Sequence, residues 1–171
     1  NIFVLEDGAQ SIGVFNEEGI HSSISGDIGV ISFFADKTIT TGEGGIVLVQ
    51  DKTLYEKLKL IRNQGRPNSG TFIHPSFGMN FRITDMQAGL GISQLNKLDT
   101  IIKFKRDLFA YYNEKIQNHE NIIKPEIENN TKDVPFRYYF QVKKNKQLLI
   151  DQLESKNIQT RSFFYPMHLQ P

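Results

Sequence analysis

Apolar residues in this chain come first in short unbroken runs and later at helical spacing. Residues 2–5 read Ile-Phe-Val-Leu, 28–34 read Ile-Gly-Val-Ile-Ser-Phe-Phe and 46–49 read Ile-Val-Leu-Val. Uninterrupted runs of this length predict strands covered on both faces. The first run stops at Glu6-Asp7-Gly8, and Gly42, Gly44 and Gly45 mark tight backbone between the second and third. From Asp51 the period changes. Asp51 can cap a helix with Leu54, Leu58 and Ile61 on its inner face. The stretch 63–75, with Gly65, Pro67, Gly70 and Pro75, predicts a loop. Thr84 followed by Gln87 is a capping box, opening a helix that carries Met86, Leu90, Leu95 and Leu98. A long helix over 101–116 is expected to bury Ile101, Phe104, Leu108, Tyr111 and Tyr112. The polar run 117–133, with Pro125 and Asn129-Asn130, breaks that pattern. Beyond it, 136–142 predicts a strand, 146–156 a helix and 158–163 a strand. The fold class is α/β up to about residue 95, followed by a smaller α+β unit reached through the long helix.

Composition acts mainly by exclusion. Lys and Arg number 20 against 19 Asp and Glu, a net charge of +1, so there is no broad basic field for nucleic acid. No apolar run approaches the ~20 residues of a membrane span. With no cysteine, disulfides, thiolate metal sites and cysteine catalysis are excluded. His21, His74, His119 and His168 are far apart and lack companion carboxylates at metal-ligand spacing, so no metal site is expected. The chain opens on an apolar run without Met and closes on an aromatic, Pro-bounded one, and both ends read as cuts through a longer protein.

Candidate chemistry gathers where the predicted strands stop. Asp7 ends the first run, at the strand edge where open α/β sheets bind ligands. An Asp there serves equally as the cap of a helix starting near Gly8. Gln10 follows three residues later, and Ser32, on the second run, offers a hydroxyl for an anion. Lys37 stands between the aromatic strand end Phe33-Phe34 and the turn 38–45, Thr-Ile-Thr-Thr-Gly-Glu-Gly-Gly. Desolvation in such a place favours a neutral, nucleophilic amine able to form a Schiff base. The competing reading is a surface lysine in a loop. A P-loop does not fit, because the lysine precedes the glycines. Asn80 and Arg82 lie between the Gly78 turn and the Thr84 cap.

At these residues a resemblance becomes specific. The runs 5–10 (Leu-Glu-Asp-Gly-Ala-Gln), 26–45 (from Gly-Asp-Ile-Gly through the Lys37 segment to Gly-Glu-Gly-Gly), 60–65 (Leu-Ile-Arg-Asn-Gln-Gly), 78–88 (Gly-Met-Asn-Phe-Arg-Ile-Thr-Asp-Met-Gln-Ala) and 160–171 occur in one order. Together they resemble the DegT/DnrJ/EryC1/StrS family of sugar aminotransferases. The resemblance spans nearly the whole chain, and several long ordered motifs are far more specific than one Gly-rich stretch.

The resemblance implies part of an aspartate-aminotransferase (type I pyridoxal-phosphate) fold. Residues 1–95 would be the C-terminal half of the large cofactor-binding domain and 96–171 part of the small C-terminal domain. It implies pyridoxal 5'-phosphate as cofactor, with Lys37 bonded to it, Asp7 paired with the pyridine nitrogen, Gln10 against the ring and Ser32 on the phosphate. Asn80 would reach the phosphate in the partner subunit of a homodimer, and Arg82, Tyr165 and His168 would contact substrate. Some dehydratases of the family carry His in place of the lysine, so Lys37 argues against that branch. Ala35-Asp36 departs from the small or amide residues that relatives often place there, and adds a negative charge beside the lysine.

The combination of 37–45 with 163–168 most resembles perosamine synthetases. The implied reaction moves an amino group from L-glutamate to C4 of a nucleotide-linked 4-keto-6-deoxyhexose, of the GDP-perosamine or UDP/dTDP-viosamine type. The implied setting is cytoplasmic deoxysugar and polysaccharide biosynthesis, without nucleic-acid or membrane partners. Two alternatives stand beside it: the same chemistry at C3 of a keto sugar, and a non-catalytic sugar-nucleotide-binding relative. The segment alone is expected to be inactive, since the rest of the cofactor site would lie elsewhere in the subunit.

Overall fold

The three apolar runs build one mixed sheet, in the order β1 (Leu5–Asp7), β2 (Ile28–Ser32), β3 (Gly45–Val49). The computed structural model describes residues 2–68, 70, 72–125 and 133–171. β1 runs parallel to β2, from Leu5↔Ile28 to Asp7↔Val30, and β3 returns antiparallel, from Ile28↔Val49 to Ser32↔Gly45.

The first strand is displaced from the expected 2–5. Ile2, Phe3 and Val4 precede it and are exposed. The ladder starts at Leu5↔Ile28 because Asp27 turns back ahead of it: its carboxylate accepts the Val4 N–H (2.8 Å), and its own N–H donates to the Val4 carbonyl (2.9 Å). Asp7 keeps its expected place at the carboxyl end. β2 closes at Ser32, short of the expected residue 34.

Cover on both faces was also expected, and the structure corrects this. In β2 only Gly29 and Ile31 are buried, while Leu5, Ile46 and Val47 on the flanking strands stay exposed. Among the described residues the flanking strands are the two edges of a three-stranded sheet. The buried face of β2 rests on Ser23, which has no exposed surface. A Cβ on Gly29 would sit 1.7 Å from the Ser23 carbonyl oxygen, and one on Gly8 would sit 1.8 Å from Ser23 Oγ. Ser11 Oγ lies 3.0 Å from the same hydroxyl.

The helix signals are local, and they hold. In α1 (Lys52–Arg62), Asp51 Oδ1 accepts the Leu54 N–H at 2.8 Å. In α2 (Asp85–Leu95), Thr84 Oγ1 accepts the Gln87 N–H (3.3 Å) and Gln87 Oε1 accepts the Thr84 N–H (2.9 Å), completing the box. Thr84→Ala should lower stability by about 1 kcal/mol, read from a urea midpoint.

Leu98 belongs to the next helix, α3 (Leu98–Lys115). There the expected buried stripe is overturned. Ile102 is the buried residue, while Phe104, Leu108, Tyr111 and Tyr112 are exposed. Ile102 fills the space above Gly13, where an added Cβ would meet Ile102 Cδ1 at 2.4 Å and Val134 Cγ2 at 3.5 Å. Contact with two distant segments, and not helical spacing, selects the inward face.

Further on, the expected strand 136–142 contracts to β5 (Gln141–Val142). It pairs antiparallel with β4 (Ile122–Ile123), which lies inside the run read as pattern-breaking. Residues 126–132 of that run lie outside the described residues. α4 (Lys146–Glu154) matches the expected helix and ends slightly early, ahead of Asn157 at φ 59°. The segment 158–163 is exposed and is no strand, because it has no ladder partner among the described residues. The chain forms two compact units, Asn1–Tyr112 with Ile127–Tyr138, and Asn113–Glu126 with Tyr139–Pro171.

Candidate functional site

The register of β1 against β2 decides what meets at the carboxyl edge. Asp7 faces Val30, and Ser32 lies two residues further along the same strand. Side chains alternate along a strand, so Asp7, Val30 and Ser32 share one face, opposite the buried Gly29 and Ile31. Strand spacing and rise put the Asp7 and Ser32 Cα atoms about 8 Å apart. Gly45 pairs with Ser32, so the neighbouring position on that face carries no side chain. Ser32 Oγ accepts the Phe34 N–H at 3.2 Å, and Asp7 Oδ1 accepts the Ala9 N–H at 3.1 Å. Residues 9–10 form a turn, with no helix behind them, which removes the helix-cap reading of Asp7. Gln10 is exposed in that turn.

Lys37 lies in the loop that leaves β2 at the same edge. The base of this loop is tightly bonded. The Thr41 N–H and the Thr40 hydroxyl both donate to the Phe33 carbonyl (2.9 and 3.1 Å), and the Phe33 N–H donates to the Gly44 carbonyl (2.9 Å). Thr41 Oγ1 donates to the Glu43 carbonyl at 2.6 Å, and Gln87 of the capping box donates to the same oxygen at 3.1 Å. Gly42 (φ 81°) and Gly44 (φ 148°) adopt backbone that L side chains rarely reach, which is why the turn is Gly-rich. Thr38, Ile39 and Thr41 are buried. Lys37 itself is half-buried, and its Nζ lies 5.1 Å from the centre of the Phe136 ring. Beside it Asp36 Oδ2 accepts from Arg137 Nη2 at 2.6 Å. Nothing in the sequence pointed to Phe136 or Arg137 as neighbours of Lys37, because about a hundred residues separate them.

Lys105 completes this cluster, donating to the Phe136 carbonyl at 3.0 Å. Burial, and then the Arg137 charge, hold its amine below the ordinary lysine value of 10.5. The folded chain therefore holds this proton less tightly than the unfolded chain. Stability should rise as pH climbs through the alkaline window that closes at 10.5. The rise should be small, since solvent screens the partly exposed amine. Urea midpoints at neutral and alkaline pH should show Lys105→Met losing this rise.

Asn80 and Arg82 gather elsewhere, on Asn63. The Gln64 N–H donates to the Met79 carbonyl (2.9 Å) and the Phe81 N–H to the Arg62 carbonyl (3.0 Å), setting Asn80 opposite Asn63. Arg82 Nη1 donates to Asn63 Oδ1, and Asn63 Nδ2 donates to the Arg66 carbonyl at 3.0 Å. Asn63, read only as the start of a loop, is thus the hub of this segment. Tyr165 and His168 are exposed residues of the second unit, His168 within the short 3-10 helix Met167–Leu169. Among the described residues, no group of His, Asp and Glu converges as metal ligands would, and no helix is long and apolar enough to cross a membrane.

Comparison with known proteins decides the family. The model of the DegT/DnrJ/EryC1/StrS aminotransferase family matches residues 1–171. The chain belongs to this family. A GDP-perosamine synthase of Escherichia coli O157:H7 is 36% identical over 177 residues, covering 100% of this chain and 47% of the relative. Among solved structures, a DegT DnrJ EryC1 StrS aminotransferase from Brucella abortus superposes with a TM-score of 0.86 at 25% identity, over 98% of this chain and 44% of that one. An E. coli GDP-4-keto-6-deoxy-D-mannose-3-dehydratase with bound hydrated PLP superposes at 0.79 and 26% identity, over 92% of this chain and 45% of that one. The chain spans about half the length of the curated relatives it matches. Its α/β fold is part of the type I pyridoxal-phosphate aminotransferase fold.

Proposed function

We propose that the complete protein is a pyridoxal-phosphate-dependent sugar aminotransferase. Glutamate is the donor, and C4 of a nucleotide-linked 4-keto-6-deoxyhexose, of the GDP-perosamine or UDP/dTDP-viosamine type, is the acceptor. The observation that carries this reading is the shared face of Asp7 and Ser32 at the carboxyl edge, with Lys37 on the loop leaving that edge.

The residues fit the cofactor. A carboxylate and a hydroxyl stand on one face, that face is clear of side chains at Gly45, and an amine follows in the next loop. Asp7 would hold a proton on the ring nitrogen, Gln10 would lie against the ring, and Ser32 would bind the phosphate. When bound, the cofactor supplies an electron sink for the reacting carbon. Lys37 Nζ would bond the cofactor, then take and return the proton that moves during transfer. Arg82, Tyr165 and His168 are assigned to substrate, and Tyr165 and His168 are exposed.

In this reading 1–95 is the C-terminal half of the large domain and 96–171 part of the small one, so this segment alone should not turn over. The working unit is a cytoplasmic homodimer in which Asn80 serves the partner's phosphate. Exposed Phe77, Phe81 and Met86 around Asn80 support a covering surface there. The name of the Escherichia coli relative supports the GDP-linked substrate.

The test is to incubate the complete subunit with glutamate and GDP-, UDP- or dTDP-linked 4-keto and 3-keto sugars, and to read the products by NMR. Amination at C4 with visible cofactor absorption is expected. Amination at C3 would move the acceptor position, and a colourless, inactive protein would make this a binding relative.

A further inference from the structure

Lys37 is flanked by a segment far away in sequence. Asp36 Oδ2 and Arg137 Nη2 pair at 2.6 Å across 101 residues. The adjoining Phe136 ring carries three cations, with Lys37 Nζ 5.1 Å, Arg137 Cζ 5.1 Å and Lys105 Nζ 5.6 Å from its centre. The segment is tied in turn to α3: Lys105 Nζ donates to the Phe136 carbonyl (3.0 Å) and Arg106 Nε to the Asp133 carbonyl (2.8 Å). All of these residues belong to the first unit.

The loop needs such a hold. Its base is closed by the Phe33, Thr40, Thr41 and Gly44 bonds, but at its apex the Lys37 N–H to the Phe34 carbonyl (3.0 Å) is a single turn contact. Asp36 adds a second demand. A carboxylate on the residue next to a lysine is a ready partner for that amine, and pairing of the two would draw Lys37 away from the sheet edge. Arg137 occupies this carboxylate, and Phe136 offers the amine a ring face in place of a carboxylate. Both partners of the pair are partly exposed, so the pair adds little to stability and its loss should leave the fold standing.

We propose that Arg137, backed by Phe136, is a positioning residue that keeps the Lys37 amine available at the carboxyl edge by sequestering the Asp36 carboxylate. The proposal rests on the reading of Lys37 as the cofactor-bonding lysine, and its logic predicts non-additivity. Arg137→Gln leaves Asp36 free to capture Lys37. Asp36→Asn removes the competitor, and with it the need for Arg137.

The experiment uses the complete subunit in wild-type form, with Arg137→Gln, with Asp36→Asn and with both. In cofactor-free protein, hydrogen exchange followed by mass spectrometry should show the amides around Lys37 exchanging several-fold faster in Arg137→Gln, with α1 and α2 unchanged. With pyridoxal phosphate and borohydride, the cofactor concentration for half-maximal labelling of the Lys37 peptide should rise several-fold in Arg137→Gln. It should return towards the wild-type value in the double variant, which a merely structural tether would not do. Arg137→Gln behaving as wild type in both measurements, or a double variant worse than Arg137→Gln, would overturn the positioning role while Lys37 labelling in wild type still stood. Labelling of a different lysine in wild type would instead overturn the reading of Lys37, and this role with it.

Discussion

Lys37→Ala in the complete subunit should abolish borohydride fixation of the cofactor and lower amino transfer by about three orders of magnitude or more. One side chain is assigned both the bond to the cofactor and the movement of the proton, so no neighbour can supply the missing half. The fold should survive. The loop is closed by backbone, threonine and Gln87 hydrogen bonds, none of which uses the Lys37 side chain. Among the described residues, that side chain contributes a contact with the Phe136 ring and no ion pair. Circular dichroism and the urea midpoint should therefore stay near wild type while activity disappears. Peptide mapping after reduction provides the decisive control. A cofactor found on Lys52 or Lys57 would place the chemistry on α1 and end the assignment, whatever the family.

The largest effect on stability is expected from one added methyl group. Gly29→Ala would put a Cβ 1.7 Å from the Ser23 carbonyl oxygen and 2.6 Å from its carbonyl carbon. The obstacle is backbone, so no rotamer change relieves it, and β2 or the Ser23 turn must shift. Overpacking of this kind costs about 3 kcal/mol. The loss should also reach the site, because Ser32 lies further along the displaced strand. Gly89→Ala is the matched control. In the middle of α2 an added Cβ meets nothing within 4 Å, and replacing a helical glycine should stabilise by up to about 1 kcal/mol. Urea denaturation of both variants should give shifts of opposite sign. Equal shifts would mean that the Ser23 contact does not bear on stability.

Local punctuation in the sequence carried much of this protein. The Asp51 cap and the Thr84–Gln87 box each rest on residues three positions apart, so the helix starts were legible without any tertiary contact. The position of Asp7 at a strand end, Ser32 on the next strand and Lys37 before a Gly-rich turn were legible for the same reason. What spacing could not supply was register. The parallel pairing of Asp7 with Val30 is what places Asp7 and Ser32 on one face, and a slip of one residue would have put them on opposite faces.

The tertiary structure also decided which residues are inside. Helical periodicity offered a five-residue aromatic and aliphatic stripe on α3, yet Ile102 is buried because Gly13 and Val134, far away along the chain, leave a space of its shape. The run 136–142 had strand character throughout, but only Gln141–Val142 found a partner, and 158–163 found none among the described residues. A strand exists only where a second strand accepts its hydrogen bonds, whereas a helix satisfies most of its own. The same difference separates the two halves of the candidate site. Asp7, Ser32 and Lys37 were marked by their immediate neighbours in sequence. Phe136 meets Lys37, and Arg137 meets Asp36, only because the chain folds back across about a hundred residues, and such long-range contacts are set by packing, which leaves no periodic trace in the sequence.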